Sequence, residues 1–203
     1  MLPRGSASSG GLGVGRAQSL HGRLRQRRDE RGAALVEAAI ILPLIMILTF
    51  GAIELGIGFS QKGGLESAAR GGARKAATLT IVDDLAGTLI GVQTAQAVND
   101  ALDSSAVPQL TSLEVYRSDS DPDVCGSNCI RFLPDSGNPK HFSLTPSQGT
   151  WFGGTANRNG CGATPDRVTV RIKGEFLFLT NLIGDGGIPL TATTTLQFEP
   201  IGC

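Results

Sequence analysis

Histidine is nearly missing from this chain: of two in 203 residues, only His141 lies beyond the first 32. That leaves little for acid–base catalysis, because no serine or cysteine stands in a nucleophile motif with it. We read His141 as a residue of a proline-flanked surface loop. A phosphate-cradling loop is also missing. The glycine cluster GGLGVG at 10–15 has no strand before it and no helix opening directly from it, which that chemistry requires. No basic domain follows the arginine-rich arm near the amino terminus, and this excludes nucleic acid as the expected partner. Cysteine is absent from the first 124 residues, and no internal repeat is visible. These absences predict no catalytic residues, no metal, no cofactor and no enzyme.

What is present is a long apolar run. Residues 38–53 carry no charge, and at 1.5 Å per residue they cover about 24 Å, slightly short of a ~30 Å hydrocarbon core. Adding 33–36 and 55–59 makes the run long enough. Only Glu37 and Glu54 interrupt it. The formal net charge is zero, yet the first 32 residues hold seven arginines against Asp29 and Glu30, leaving −5 on the remainder. Basic residues stay on the cytoplasmic side of a first span, so the amino terminus is expected inside and the rest outside.

The expected organisation is four segments: a disordered basic leader at 1–32, a membrane helix at 33–59, an outer helical segment at 60–106 and an extracytoplasmic β-rich domain at 107–203. Pro43 removes one hydrogen bond and is expected to bend the membrane helix. Glu66, Arg70 and Arg74 are spaced to line one face of its continuation. Gly71 and Gly72 there cost about 1 kcal/mol each relative to alanine unless close packing uses them. A second helix is read over 85–102, capped by Asp83 or Asp84, with Leu85, Leu89, Val92, Ala95, Ala97 and Leu102 as its apolar rhythm.

Strands are read from Leu110, Leu113 and Val115, from residues 129–133, and from the alternation of Val168, Val170 and Ile172 with Thr169, Arg171 and Lys173. Residues 176–179 read as an apolar continuation. After a turn at 184–187, Leu190, Ala192, Thr194, Leu196 and Phe198 face one way. The last two strands are expected to pair antiparallel. The fold class is therefore α+β, a single transmembrane helix extended outward and followed by a small antiparallel sheet.

The polar middle, 118–160, reads as loops tied by disulfides. All four cysteines, Cys125, Cys129, Cys161 and Cys203, lie in the outer region, and their even number suits an oxidising compartment, with three pairings open. Intervals of 3, 31 and 41 residues lack the spacing of a zinc ribbon. Asp119, Asp121 and Asp123 alternate like a calcium loop, without its glycine or terminal glutamate.

Arg31, Gly32, the residues at 33–36 and then Glu37 ahead of the apolar run resemble the cleavage site of type IV pilin precursors. That resemblance implies a cut between Gly32 and Ala33 by a prepilin peptidase, with Glu37 fifth in the mature chain. A carboxylate at the edge of hydrocarbon needs a partner, and a neighbouring subunit's new amino terminus supplies a cation. The wider stretch GAALVEAAIILPLIMILTFGAIELG, with SAAR, GAR and AA between Ser67 and Ala77 and the ending TATTTLQFE, is similar to TadE-like proteins of the tight-adherence (Flp/Tad) pilus system.

Such a resemblance implies a pseudopilin of the bacterial cytoplasmic membrane. It supports assembly of adhesive pili through helix packing in the lipid bilayer, with other pilins, pseudopilins and the assembly machinery as partners. Glu37 and Glu54 are the candidate assembly residues. At Glu54 the carboxylate either reaches headgroups and water or pairs between packed helices, and Gly51, Ala52, Gly56 and Gly58 leave room for such a helix. The chain departs from the related precursors in placing Ala38 where an aromatic often follows the glutamate. Its middle offers no family anchor. The rival function is a signal-anchored surface binding or adhesin-like domain that keeps its leader.

Overall fold

A computed structural model describes residues 18–79, 89–121, 123–125, 128–149, 165–180 and 186–199, with side chains from Gly32 onward. The chain divides into two units, Met1–Gly51 and Ala52–Cys203. One helix, α1, spans Gln18–Thr78 and belongs to both. In the first unit its surface is bare: Leu35, Ile40, Leu42, Leu44 and Leu48 are all more than half exposed. Gly32–Thr78 contains an apolar window long enough to cross a bilayer, none of it buried. A soluble helix hides such residues against a core, whereas a lipid-facing one leaves them bare. The hydroxyl of Thr49 donates to the Ile45 carbonyl (2.7 Å), so this polar group is satisfied within the helix.

The second unit is a two-layer α+β domain. Its sheet is built from β1 (Gln109–Arg117), β2 (Cys129–Phe132), β3 (Arg167–Phe176) and β4 (Ile188–Gln197), in the order β2-β1-β3-β4 and antiparallel throughout. The part of α1 beyond Ala52 and the helix α2 (Leu89–Asp103) supply the helical half of its core. Leu65, Ala68, Ala69, Ala73, Ala76 and Ala77 of α1 and Ile90, Val98 and Leu102 of α2 join Leu113, Val115, Val168, Val170 and Ile172 in one cluster. The spacing along α1 is that of a helical stripe. On another side of the same helix, Lys62 and Arg70 pair with Glu66 at 3.7 and 3.6 Å, and Arg74 is exposed.

Small residues let the two helices meet closely. A methyl group at Gly72 would lie 2.5 Å from the Val98 Cγ2 and 3.3 Å from the Thr94 Cγ2, whereas one at Gly63 meets nothing within 4 Å. Alanine gains about 1 kcal/mol of helix propensity at either site, but overpacking a tight contact costs about 1–3 kcal/mol. Gly63→Ala is therefore expected to raise the unfolding midpoint of the domain and Gly72→Ala to lower it. Thermal melts of the two variants check this, and a common sign would refute it.

Three sequence expectations shift. The buried face of α2 is Ile90, Thr94, Ala95, Val98 and Leu102, while Leu89 is 43% exposed. The expected start at 85 and the caps Asp83 and Asp84 lie outside the described residues. In β1, Leu110 and Leu113 are out of phase for a regular strand, yet both are buried. The register slips between Leu110 and Ser112, and this irregularity turns both leucines to the same side. Finally, β3 ends at Phe176, paired with Ile188, and does not continue through 179. The chain leaves the strand there to reach Glu54 on α1. The turn read at 184–187 lies partly outside the described residues. Leu190, Ala192, Thr194, Leu196 and Phe198 are the better-buried members of the alternation, as read.

The segment 133–149 has little regular structure of its own and is held by borrowed pairings. Ser147 donates its backbone N–H to the Arg131 carbonyl, and Arg131 donates to that of Gln148. Buried Asn99 of α2 clamps Phe142 at both backbone groups, donating from Nδ2 to its carbonyl (2.9 Å) and accepting its N–H at Oδ1 (2.8 Å). Phe142 is thereby fixed in the core at 1% exposure.

Candidate functional site

Glu37 stands on the bare helix of the first unit. It shares a shallow apolar groove with Ala34, Ala38, Ile41, Leu42 and Ile45 and is exposed. Among the described residues it has no ion-pair partner. Gly32 and Ala33, the expected cleavage pair, lie within α1, also exposed. A methyl group at Gly32 would meet nothing within 4 Å, so packing does not account for glycine there.

Glu54 behaves differently. It is 2% exposed, and its Oε1 accepts from both the backbone N–H and the hydroxyl of Thr180, each at 2.7 Å. The structure thus sets this carboxylate against its own chain rather than in water. Its other oxygen, Oε2, is buried and has no hydrogen-bond partner among the described residues. Beside it lies a cleft of about 270 Å³ lined by Leu55, Gly58, Phe59, Phe176, Phe178 and Ile188, with Lys62 at its edge. Phe176 and Phe178 meet edge to face at 5.4 Å. The ammonium of Lys62 donates to the Thr191 carbonyl of β4.

Cys125 and Cys129 form a disulfide with Cα atoms 5.0 Å apart. It packs beside Tyr116 on the sheet face away from the helices. The short C-x3-C interval is therefore one of the pairings left open by the sequence. Cys161 and Cys203 lie outside the described residues.

The same sheet face carries a charge cluster that sequence reading did not find. Glu114 of β1 is 1% exposed, yet it receives Arg171 Nε (2.5 Å), Arg131 Nε (3.2 Å) and Lys173 Nζ (3.4 Å). Register explains the convergence: Glu114 sits opposite Arg131 on one side and Arg171 on the other. Asp123 caps the cluster from outside, accepting from Arg171 (2.8 Å) and Lys173 (3.4 Å). The alternation Leu113-Glu114-Val115 was the available signal, since a charge inside an apolar strand must find partners across the ladder.

Those partners also fix the role of the alternating aspartates. Arg117 bonds Asp119 at 2.5 Å, and Asp121 accepts the Asp123 backbone N–H at 2.9 Å. Two of the three are thus engaged by cations of the chain. Among the described residues no group of three histidine, cysteine, aspartate or glutamate side chains converges as a metal site would. Hydrogen bonds from Arg171 and then Lys173 hold the Asp123 carboxyl below its ordinary value of 3.8, and one from Arg117 does the same for Asp119. A depressed folded-state value means stability that is whole above pH 3.8 and lost as acid titrates the folded carboxylates. Acid unfolding of the domain is expected below that pH, with a shallower fall in Asp123→Asn; identical acid profiles for the two would refute it.

His141 is used as a tie. Its Nε2 lies 2.7 Å from Asp103 Oδ1 and its Nδ1 3.1 Å from Asn138 Nδ2. If Nδ1 accepts from the amide, Nε2 carries the proton and donates to Asp103. The ring links its loop to the end of α2.

No curated protein and no solved structure matches the chain. Residues 32–74, running from the candidate cleavage glycine along α1 to Arg74, match the family model described as TadE-like protein, and over that stretch the chain is similar to that family.

Proposed function

We propose that this chain is a pseudopilin-like component of a Tad pilus system, anchored in the bacterial cytoplasmic membrane and working by helix-to-helix assembly rather than catalysis. The observation that carries the reading is where the family match falls. It covers 32–74, the stretch of α1 whose apolar surface is left bare and whose carboxylate at the start of the uncharged run, Glu37, lacks an ion-pair partner among the described residues. Lipid covers the apolar stripe, and a neighbouring subunit's amino terminus meets the carboxylate. The arginine-rich leader keeps the amino terminus inside and delivers the α+β domain outside. A prepilin peptidase cuts between Gly32 and Ala33, other pilins or pseudopilins pack against α1, and a separate motor extracts the helices. His141, held between Asp103 and Asn138, supports a structural use of the one outer histidine.

Amino-terminal sequencing of the mature protein from cells with an intact peptidase tests this. The expected first residue is Ala33, and replacing Gly32 with a bulky residue is expected to leave the leader in place. A chain that retains its first 32 residues in both cases would instead be a signal-anchored surface domain.

A further inference from the structure

The end of the outer domain where β3 passes to β4 carries more bare apolar surface than folding requires. Leu177 is 53% exposed, Leu179 71% and Ile188 45%, and on the helix beside them Leu55 and Phe59 are 57% and 76% exposed. Single exposed leucines are ordinary, but a group of five at one end of a domain marks a contact surface. Its depth is set by a second observation. Thr180 is fastened to Glu54 through both its N–H and its hydroxyl, and Glu54 lies inside the apolar run of the chain.

Length decides what covers the patch. The uncharged stretch 38–53 spans about 24 Å of a ~30 Å hydrocarbon layer, so the turns just beyond it must complete the crossing. Glu54 therefore falls at the outer edge of the hydrocarbon, and whatever is bound to it falls at the same level. The cleft beside Glu54 is lined by apolar side chains, with Lys62 at its rim where a lipid phosphate would lie. A mostly apolar lining continuous with the span, with a cation at its edge, matches the interfacial layer of a bilayer rather than water.

We infer that the β3–β4 end of the outer domain is a second membrane contact, with Leu177, Leu179 and Ile188 seated in the outer leaflet around the emerging helix, and with Glu54–Thr180 as the latch that sets their depth. This inference rests on the membrane-span reading above, and its test separates the two.

The test uses the full chain carrying Trp151→Phe, reconstituted in phosphatidylethanolamine–phosphatidylglycerol vesicles with lipids brominated near the carbonyl end or deep in the chain. Tryptophan is placed singly at Leu179, at Leu44 in the span and at Leu144, which is 45% exposed in the 133–149 segment. The Leu179→Trp emission is expected to shift to the blue, to lose most of its intensity to the shallow bromines, and to resist aqueous acrylamide. Leu144→Trp should do the reverse. If Leu44→Trp is quenched by the deep bromines while Leu179→Trp behaves like Leu144→Trp, or is shielded from both quenchers, the contact is overturned and the span stands. If Leu44→Trp escapes the deep bromines as well, the span reading itself fails. Adding Glu54→Ala to Leu179→Trp is expected to restore acrylamide quenching, and unchanged lipid quenching would remove the latch.

Discussion

Replacing Glu114 with glutamine is expected to cost the α+β domain about 3 kcal/mol, the low end of the range for breaking a buried ion pair. The side chain is 1% exposed and faces three cations. Glutamine keeps its shape and removes the one buried anion among them. Among the described residues Asp123, 71% exposed, remains as the counter-charge to Arg171 and Lys173, and Arg131 loses its bond to Glu114. Partial exposure of the cations, 14% for Arg171, 20% for Arg131 and 33% for Lys173, lets water offset part of the loss. Against a typical domain stability of about 5–15 kcal/mol this is a large fraction. Urea unfolding of the solubilised chain, followed by exchange protection of the β1 and β3 amides, measures it. A midpoint equal to that of the parent would show that the cluster contributes nothing. Exchanging Glu114 and Arg171 together for apolar residues of similar volume is expected to recover part of the loss, because the desolvation cost disappears with the charges.

The second large effect is functional. Glu37→Ala is expected to leave insertion intact, since removing a charge from the edge of the span only eases partition into lipid. Assembly suffers instead. Truncating one partner of a desolvated charge pair typically costs about 2–5 kcal/mol, and ~3 kcal/mol corresponds to roughly hundredfold weaker association. Co-purification of pilus components and surface attachment of cells are the readouts, with membrane-fraction yield as the control. Normal attachment and normal co-purification in the variant would dismiss the proposed pairing. Glu37→Asp retains the charge but shortens its reach, and an intermediate loss is expected.

The two units differ in how far their order could be read from residues alone. The candidate span, the continuation of α1 beyond it and the antiparallel β3–β4 pair follow from local periodicity, which acts within a few residues and is written directly in the chain. Leu110 and Leu113 illustrate where that logic stops. Their spacing contradicts a regular strand, and only the register slip resolved it. The placement of β1 between β2 and β3 depends on non-local pairing, and so does the meeting of Glu114 with Arg131 and Arg171. Glu54 was recognisable as an unusual acid in an apolar run. Its acceptor role toward Thr180, 126 positions later, had no local signal. Asn99 was equally silent, because an amide on a helix announces nothing about the loop it will hold.

That amide clamp has a practical consequence. Because Asn99 holds both backbone groups of Phe142, and Asp135 donates its N–H back to the His141 carbonyl, the stretch between 135 and 141 closes on itself before it reaches the core. Gly137, at its tip, is exposed, and a side chain there would touch only Asp135 at 3.7 Å. The tip is a natural handle: a short epitope or a fluorophore spliced there would report on the domain while leaving its packing undisturbed.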